Sequence, residues 1–169
     1  MEDITGTAGD DIIIGRSDIN FIDGRAGKDT LDYSNIGVGL FLSATGSSIG
    51  TSTGRSFPPG PTGTIIYTYI SNIETIIGDP TKSNTISYFG SSDDSRGNFE
   101  INLSTGRLGV DNITVPTVKN FDNVDLSNGA GRVVGNARDN QIRVSSTSTI
   151  TASKGNDTLG GGTLDYSNQ

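Results

Sequence analysis

Residues 6–32 read GTAGDDIII (6–14), GRSDINFID (15–23) and GRAGKDTLD (24–32), three consecutive nonapeptides in register. Position one is Gly6, Gly15 and Gly24; position four is Gly9, Asp18 and Gly27. Position six is Asp11, Asn20 and Asp29, and position eight is Ile13, Ile22 and Leu31. Agreement at four columns over three tandem copies marks an internal repeat, and a short fixed period specifies stacked coils. Glycine at positions one and four permits positive φ and a sharp turn. The position-six side chain brings oxygen to that turn. The aliphatic residue at position eight belongs to a short strand and points inward, because alternate strand residues face opposite sides. Each nonapeptide is one turn and one strand, and two make a coil.

Turns on the same side are then 18 residues apart, so Asp11 lies over Asp29 at about one strand spacing, ~4.8 Å. Two carboxylates held that close repel unless something positive lies between them. Backbone carbonyls of the glycine turns converge at the same point, so the site offers hard oxygens beside Asp11 and Asp29. Hard oxygens in a flexible arrangement suit Ca²⁺ better than Mg²⁺, which demands stricter octahedral order. Asn20 holds the equivalent place on the other side, but its stacked partner starts near Tyr33, where the strict repeat stops.

These residues resemble the haemolysin-type, or RTX, calcium-binding repeat, G-G-x-G-x-D-x-U-x with U a large aliphatic residue. The matching positions are Gly6, Gly9, Asp11, Gly24, Gly27 and Asp29; Thr7, Arg16 and Arg25 replace the second glycine, and Asp18 replaces the fourth-position glycine of the middle copy. The resemblance implies a right-handed parallel β-roll that binds calcium between stacked glycine-rich turns, with Gly6, Ala8, Gly9, Asp11, Gly24, Arg25, Gly27 and Asp29 as the candidate ligand set. It also implies an extracellular or cell-surface protein exported by type I secretion, whose signal would lie downstream.

Composition agrees with an all-β chain. Of 169 residues, 24 are glycine and 5 are proline, and glycine does not recur every third residue, so collagen is excluded. Net charge is −7, from 12 basic and 19 acidic residues, which argues against nucleic acid. There is no cysteine and no histidine, removing disulfides, zinc thiolate sites and the commonest general base. No apolar run is long enough to cross a bilayer, and Glu2 and Asp3 directly after Met1 do not open a signal peptide.

Beyond Asp32 the pattern loosens. Val38, Leu40 and Leu42 alternate as inward strand positions, as do Phe99, Ile101 and Leu103. SNIETIIGD (71–79) resembles segments that re-enter RTX repeats. Residues 47–63, with three of the prolines, read as a projecting loop. GNARDNQIR (135–143) and ASKGNDTLG (152–160) fit the nonapeptide again, so Asn140, Gly155 and Asp157 form a second, weaker candidate calcium site. TLDYSN recurs at 163–168 after its appearance at 30–35, as expected of a segment from a longer tandem array.

The expected product is one domain over 1–169: a right-handed parallel β-helix or β-roll with irregular coils and projecting loops. Strict nonapeptides span 6–32, irregular coils 33–134 and degenerate nonapeptides 135–160. The function expected is a calcium-stabilised structural or adhesive module, with a polysaccharide, a surface component or neighbouring repeats as partner, and not an enzyme. A polysaccharide-binding or epimerase- or lyase-like β-helix is the alternative, with Asp93, Asp94, Glu100, Asp122 and Asp125 as candidate acids and Tyr67 and Tyr69 as stacking residues. A further alternative is a self-cleaving module at Asp79-Pro80.

Overall fold

The computed structural model describes residues 2–45, 48–56, 60–87, 98–110, 116–126, 130–151 and 153–165. The described residues form strands and turns without a helix, so none is available to span a membrane.

The repeats fold as their period requires. Strands β1 (Glu2–Thr5), β2 (Ile12–Ile14), β3 (Ile19–Asp23) and β4 (Thr30–Asp32) alternate between two sheets. β2 and β4 pair in parallel with Ile12 opposite Thr30 and Ile13 opposite Leu31, the 18-residue register. The chain continues through β5 (Leu40–Thr45), β6 (Ser48–Ser56), β7 (Gly60–Ser71), β8 (Thr75–Ile77), β9 (Thr85–Ser87), β10 (Asn98–Asn102), β11 (Arg107–Val110) and β12 (Thr117–Lys119). It ends through β13 (Asn123–Leu126), β14 (Ala130–Val134), β15 (Gln141–Val144), β16 (Thr149–Thr151), β17 (Thr158–Gly160) and β18 (Thr163–Asp165). A nine-stranded sheet runs β1-β3-β7-β6-β5-β9-β13-β15-β17; the others run β2-β4-β8-β12 and β11-β10-β14-β16-β18.

One core serves all three sheets because each contributes an aliphatic ladder. Ile13, Leu31, Ile76 and Val118 stack in the four-stranded sheet. Leu42, Ile86, Val124 and Ile142 stack in the nine-stranded sheet, and Ile101, Val133 and Ile150 in the five-stranded one. β-Branched residues dominate because their stiff side chains fit a pleated surface.

Three local expectations are corrected. Much of 47–63 is strand: β6 pairs antiparallel with both β5 and β7, inserting a hairpin between parallel coils. Val38 is exposed, because it precedes β5, whereas Leu40 and Leu42 are buried. Of the turn glycines in the three repeats, Gly27 alone has positive φ (135°); Gly6, Gly15 and Gly24 are glycine for lack of room, whereas a Cβ on Gly9 would meet nothing closer than 3.9 Å. A Cβ on Gly15 would lie 2.2 Å from the Tyr33 ring. Tyr33 is buried there, its hydroxyl 3.0 Å from Thr51 Oγ1 on the inserted hairpin.

Candidate metal centre

The Gly6–Asp11 turn connects β1 to β2, and the Gly24–Asp29 turn connects β3 to β4, so the strand register stacks one on the other. Main-chain bonds lock the stack: Gly6 N–H donates to Asp23 O (2.7 Å), and Thr30 N–H to Asp11 O (2.9 Å). Lys28 N–H donates to Asp10 Oδ1 (2.8 Å). A Cβ on Gly6 would sit 2.6 Å from Gly24 O, and one on Gly27 2.6 Å from the Gly9 carbonyl. Such closeness packs the glycine turns of successive coils main chain against main chain.

The position-six acids form a directional ladder. Asp29 Oδ1 accepts the Asp11 N–H at 2.9 Å, and Glu74 Oε2 accepts the Asp29 N–H at 2.7 Å. Asp11, first in the column, folds onto its own turn, its Oδ2 accepting from Thr7 N–H (2.6 Å) and Thr7 Oγ1 (3.0 Å). Glu74 is a member that the repeat period does not find. It precedes β8, which pairs with β4 so that Thr75 lies opposite Thr30. The shared signal is an acid followed by threonine and an aliphatic residue: Asp29-Thr30-Leu31, Glu74-Thr75-Ile76 and Asp157-Thr158-Leu159.

Asp29 is the anomaly. It is 1% exposed, and its Oδ2 is buried without a hydrogen-bond partner. The equivalent oxygen of Asp11 is capped by Thr7 N–H, but Arg25 turns to φ 71° and gives its N–H to Asp23 Oδ1 instead (3.0 Å). Among the described residues no lysine or arginine forms an ion pair with Asp29 or Glu74. An ionised carboxylate left so is costly unless a cation neutralises it. The residues therefore fit a bound hard cation, although among the described residues no three acidic side chains cluster.

A second stack repeats the first. Asn140 N–H donates to Asp157 Oδ1 (3.0 Å), Asn136 N–H to Asn140 Oδ1 (3.0 Å), and Asn156 N–H to Asp139 Oδ1 (2.9 Å). Gly155 has φ 117°, and a Cβ there would lie 2.5 Å from Arg138 O, as at Gly27. Here the inner group is an amide, and Asn136 N–H caps its oxygen. No buried charge is left over at Asn140.

The remaining candidates are dispersed. Asn20 lies within β3, its side chain outside the described residues. Asp93, Asp94 and the Tyr67 side chain also lie outside the described residues. Glu100 lines a shallow pocket on the β10–β11 hairpin with Asn102 and Arg107. Asp122 accepts from Arg138 (2.9 Å) and Asn136 (3.2 Å), and burial pushes its carboxyl up despite both partners. Asp125 is buried on β13. Asp79 is buried, its carboxylate accepting from Thr81 Oγ1 (2.7 Å), Thr81 N–H (2.9 Å) and Gly37 N–H (2.9 Å). Those bonds, the Thr81 hydroxyl foremost, hold it below the usual carboxylate range against its burial.

Coils of parallel strands joined by glycine-rich acidic turns define a metal-binding β-roll. Residues 5–35 and 147–163 match the RTX calcium-binding nonapeptide repeat family, in four copies. Those stretches are RTX calcium-binding repeats, and the ion that nonapeptides of this family bind is Ca²⁺. No curated protein matches it.

Proposed function

We infer that this chain is a calcium-stabilised structural or adhesive module of a secreted bacterial surface protein. In this reading the turns holding Asp11 and Asp29 keep one ion and those holding Asn140 and Asp157 a weaker one. The observation that carries it is Asp29 Oδ2, a buried carboxylate oxygen without a partner. Calcium, when bound, supplies positive charge and 6–8 oxygen-coordination positions, as is usual for this ion. The chain supplies Asp29 as a fixed anion, glycines that let carbonyls approach, and a main chain that clamps successive turns. Without neutralisation, the buried charge and the entropy of ordering glycine-rich turns oppose folding. Binding free energy then becomes folding free energy. Extracellular calcium modules bind at roughly 10⁻⁴–10⁻³ M, which would let the chain fold after export. The test is a thermal melt in millimolar calcium and in EDTA: a higher melting temperature in calcium supports the reading, and coincident melts reject it.

One observation favours polysaccharide as the partner. Phe21 and Tyr69 stand opposite each other on adjacent strands, both exposed, with Gly50 next in register. Adjacent aromatic side chains beside a glycine form a platform on which a sugar ring stacks. Phe21→Ala with Tyr69→Ala should abolish retention on immobilised polysaccharide without lowering the calcium-loaded melt; unchanged retention rejects the platform.

A further inference from the structure

The unpartnered oxygen of Asp29 has a direction. Its Oδ1 is taken by Asp11 N–H in the preceding coil, whereas Oδ2 lies 2.5 Å from where a Gly24 Cβ would stand. The same absent Cβ would stand 2.1 Å from the carbonyl oxygen of Asn72, in the following coil. Glycine at 24 therefore lets a buried carboxylate oxygen and a backbone oxygen of the next turn converge on one side of its Cα. The third group is the carboxylate of Glu74, an exposed residue whose Oε2 accepts the Asp29 N–H. Glu74 lies outside the residues that match the repeat family. Asp11, the 18-residue neighbour of Asp29, already has its carboxylate folded onto Thr7.

We propose that Asn72 and Glu74, from a turn that is not a nonapeptide, complete a calcium site with Asp29 beside Gly24. This rests on the reading of Asp29 as a calcium ligand. The pairing joins coils separated in sequence by the β5–β7 insertion, so one ion clips the strict repeats to the irregular coils. Glu74, being exposed, gives the ion a path in from solvent, while Asp29 gives it a fixed buried anchor.

The experiment is a calorimetric calcium titration of the full chain, with melts in calcium and EDTA, for wild type, Asp29→Asn, Glu74→Gln and the double variant. Glutamine keeps the acceptor for Asp29 N–H but removes the charge. Glu74→Gln is expected to weaken one class of calcium site about tenfold or more, since ligand charge count tunes affinity. It should lower the melt in calcium but not in EDTA, and the double variant should bind no more weakly than Asp29→Asn alone. Unchanged calcium affinity in Glu74→Gln, with loss in Asp29→Asn, overturns this proposal and spares the site. Unchanged affinity in Asp29→Asn overturns both. Equal destabilisation by Glu74→Gln in calcium and EDTA would assign Glu74 a purely structural role and also overturns the proposal. Should that variant not fold, carbon NMR of the wild-type Glu74 carboxyl decides: a calcium-dependent shift supports coordination, and no shift overturns it.

Discussion

Asp29 shows how one turn conformation sets a function. In the first copy Thr7 turns its N–H and hydroxyl onto Asp11; in the third, Arg25 adopts positive φ and gives its N–H to Asp23. Asp29→Asn should therefore weaken calcium binding yet melt no lower than wild type in EDTA, because it removes a charge that EDTA leaves unneutralised. A melt that falls in EDTA would place the cost elsewhere. Gly27→Ala should destabilise by about 1–3 kcal/mol in either condition, through a strained φ and a clash with the Gly9 carbonyl, as thermal melts would show. Asp79 has the usual sign for a carboxylate whose folded pKa is depressed. The unfolded chain binds the proton more tightly, so its contribution is full above about pH 4 and is lost as pH falls through the folded value. Asp79→Asn should flatten that acid limb in EDTA melts across pH. Asp122, pushed up by burial, works in the opposite direction. At this scale the stacking of Asp11 on Asp29 and of Asn140 on Asp157 was legible from spacing alone. Glu74 was not, because its turn has neither glycine nor the nine-residue period.

Among the elements, the contrast is between turns built for a cation and a turn that carries its own substitute. Between β8 and β9, the Asn84 amide shares its two protons among three carbonyls: Asn120 O (2.7 Å), Asp79 O (2.8 Å) and Lys82 O (3.2 Å). Its Oδ1 accepts Leu40 N–H at 3.0 Å, and the residue is fully buried. One neutral side chain thus gathers oxygens as an ion would. Asn84→Ala should cost about 3 kcal/mol or more, equally in calcium and EDTA, since the orphaned polar groups are buried. A calcium-dependent cost would contradict this. The aliphatic ladders of β2, β4 and β15 were readable from their alternation. The β6–β7 hairpin was not: glycine, serine and proline made 47–63 look like a loop, while Ser52, Thr53 and Ile66 pair across strands.

Across the whole molecule, the two repeat stacks sit toward opposite ends of the nine-stranded sheet, with the Asn84 coil between them. Calcium dependence should be uneven. In EDTA, hydrogen exchange should be fast at 2–32 and 136–160 and slower at 84–87 and 118–126; uniform exchange would show that the roll opens as one unit. Period and composition specified the parallel stack and its ion, but the insertion that separates β3 from β9 breaks the period and hides which coils meet.

The most direct measurement is calcium titration by calorimetry on wild type and Asp29→Asn. The account expects saturable calcium binding in wild type, a clear loss of affinity or of one site in the variant, and poor substitution by magnesium. Identical isotherms for the two proteins, or heats indistinguishable from dilution in both, would contradict it.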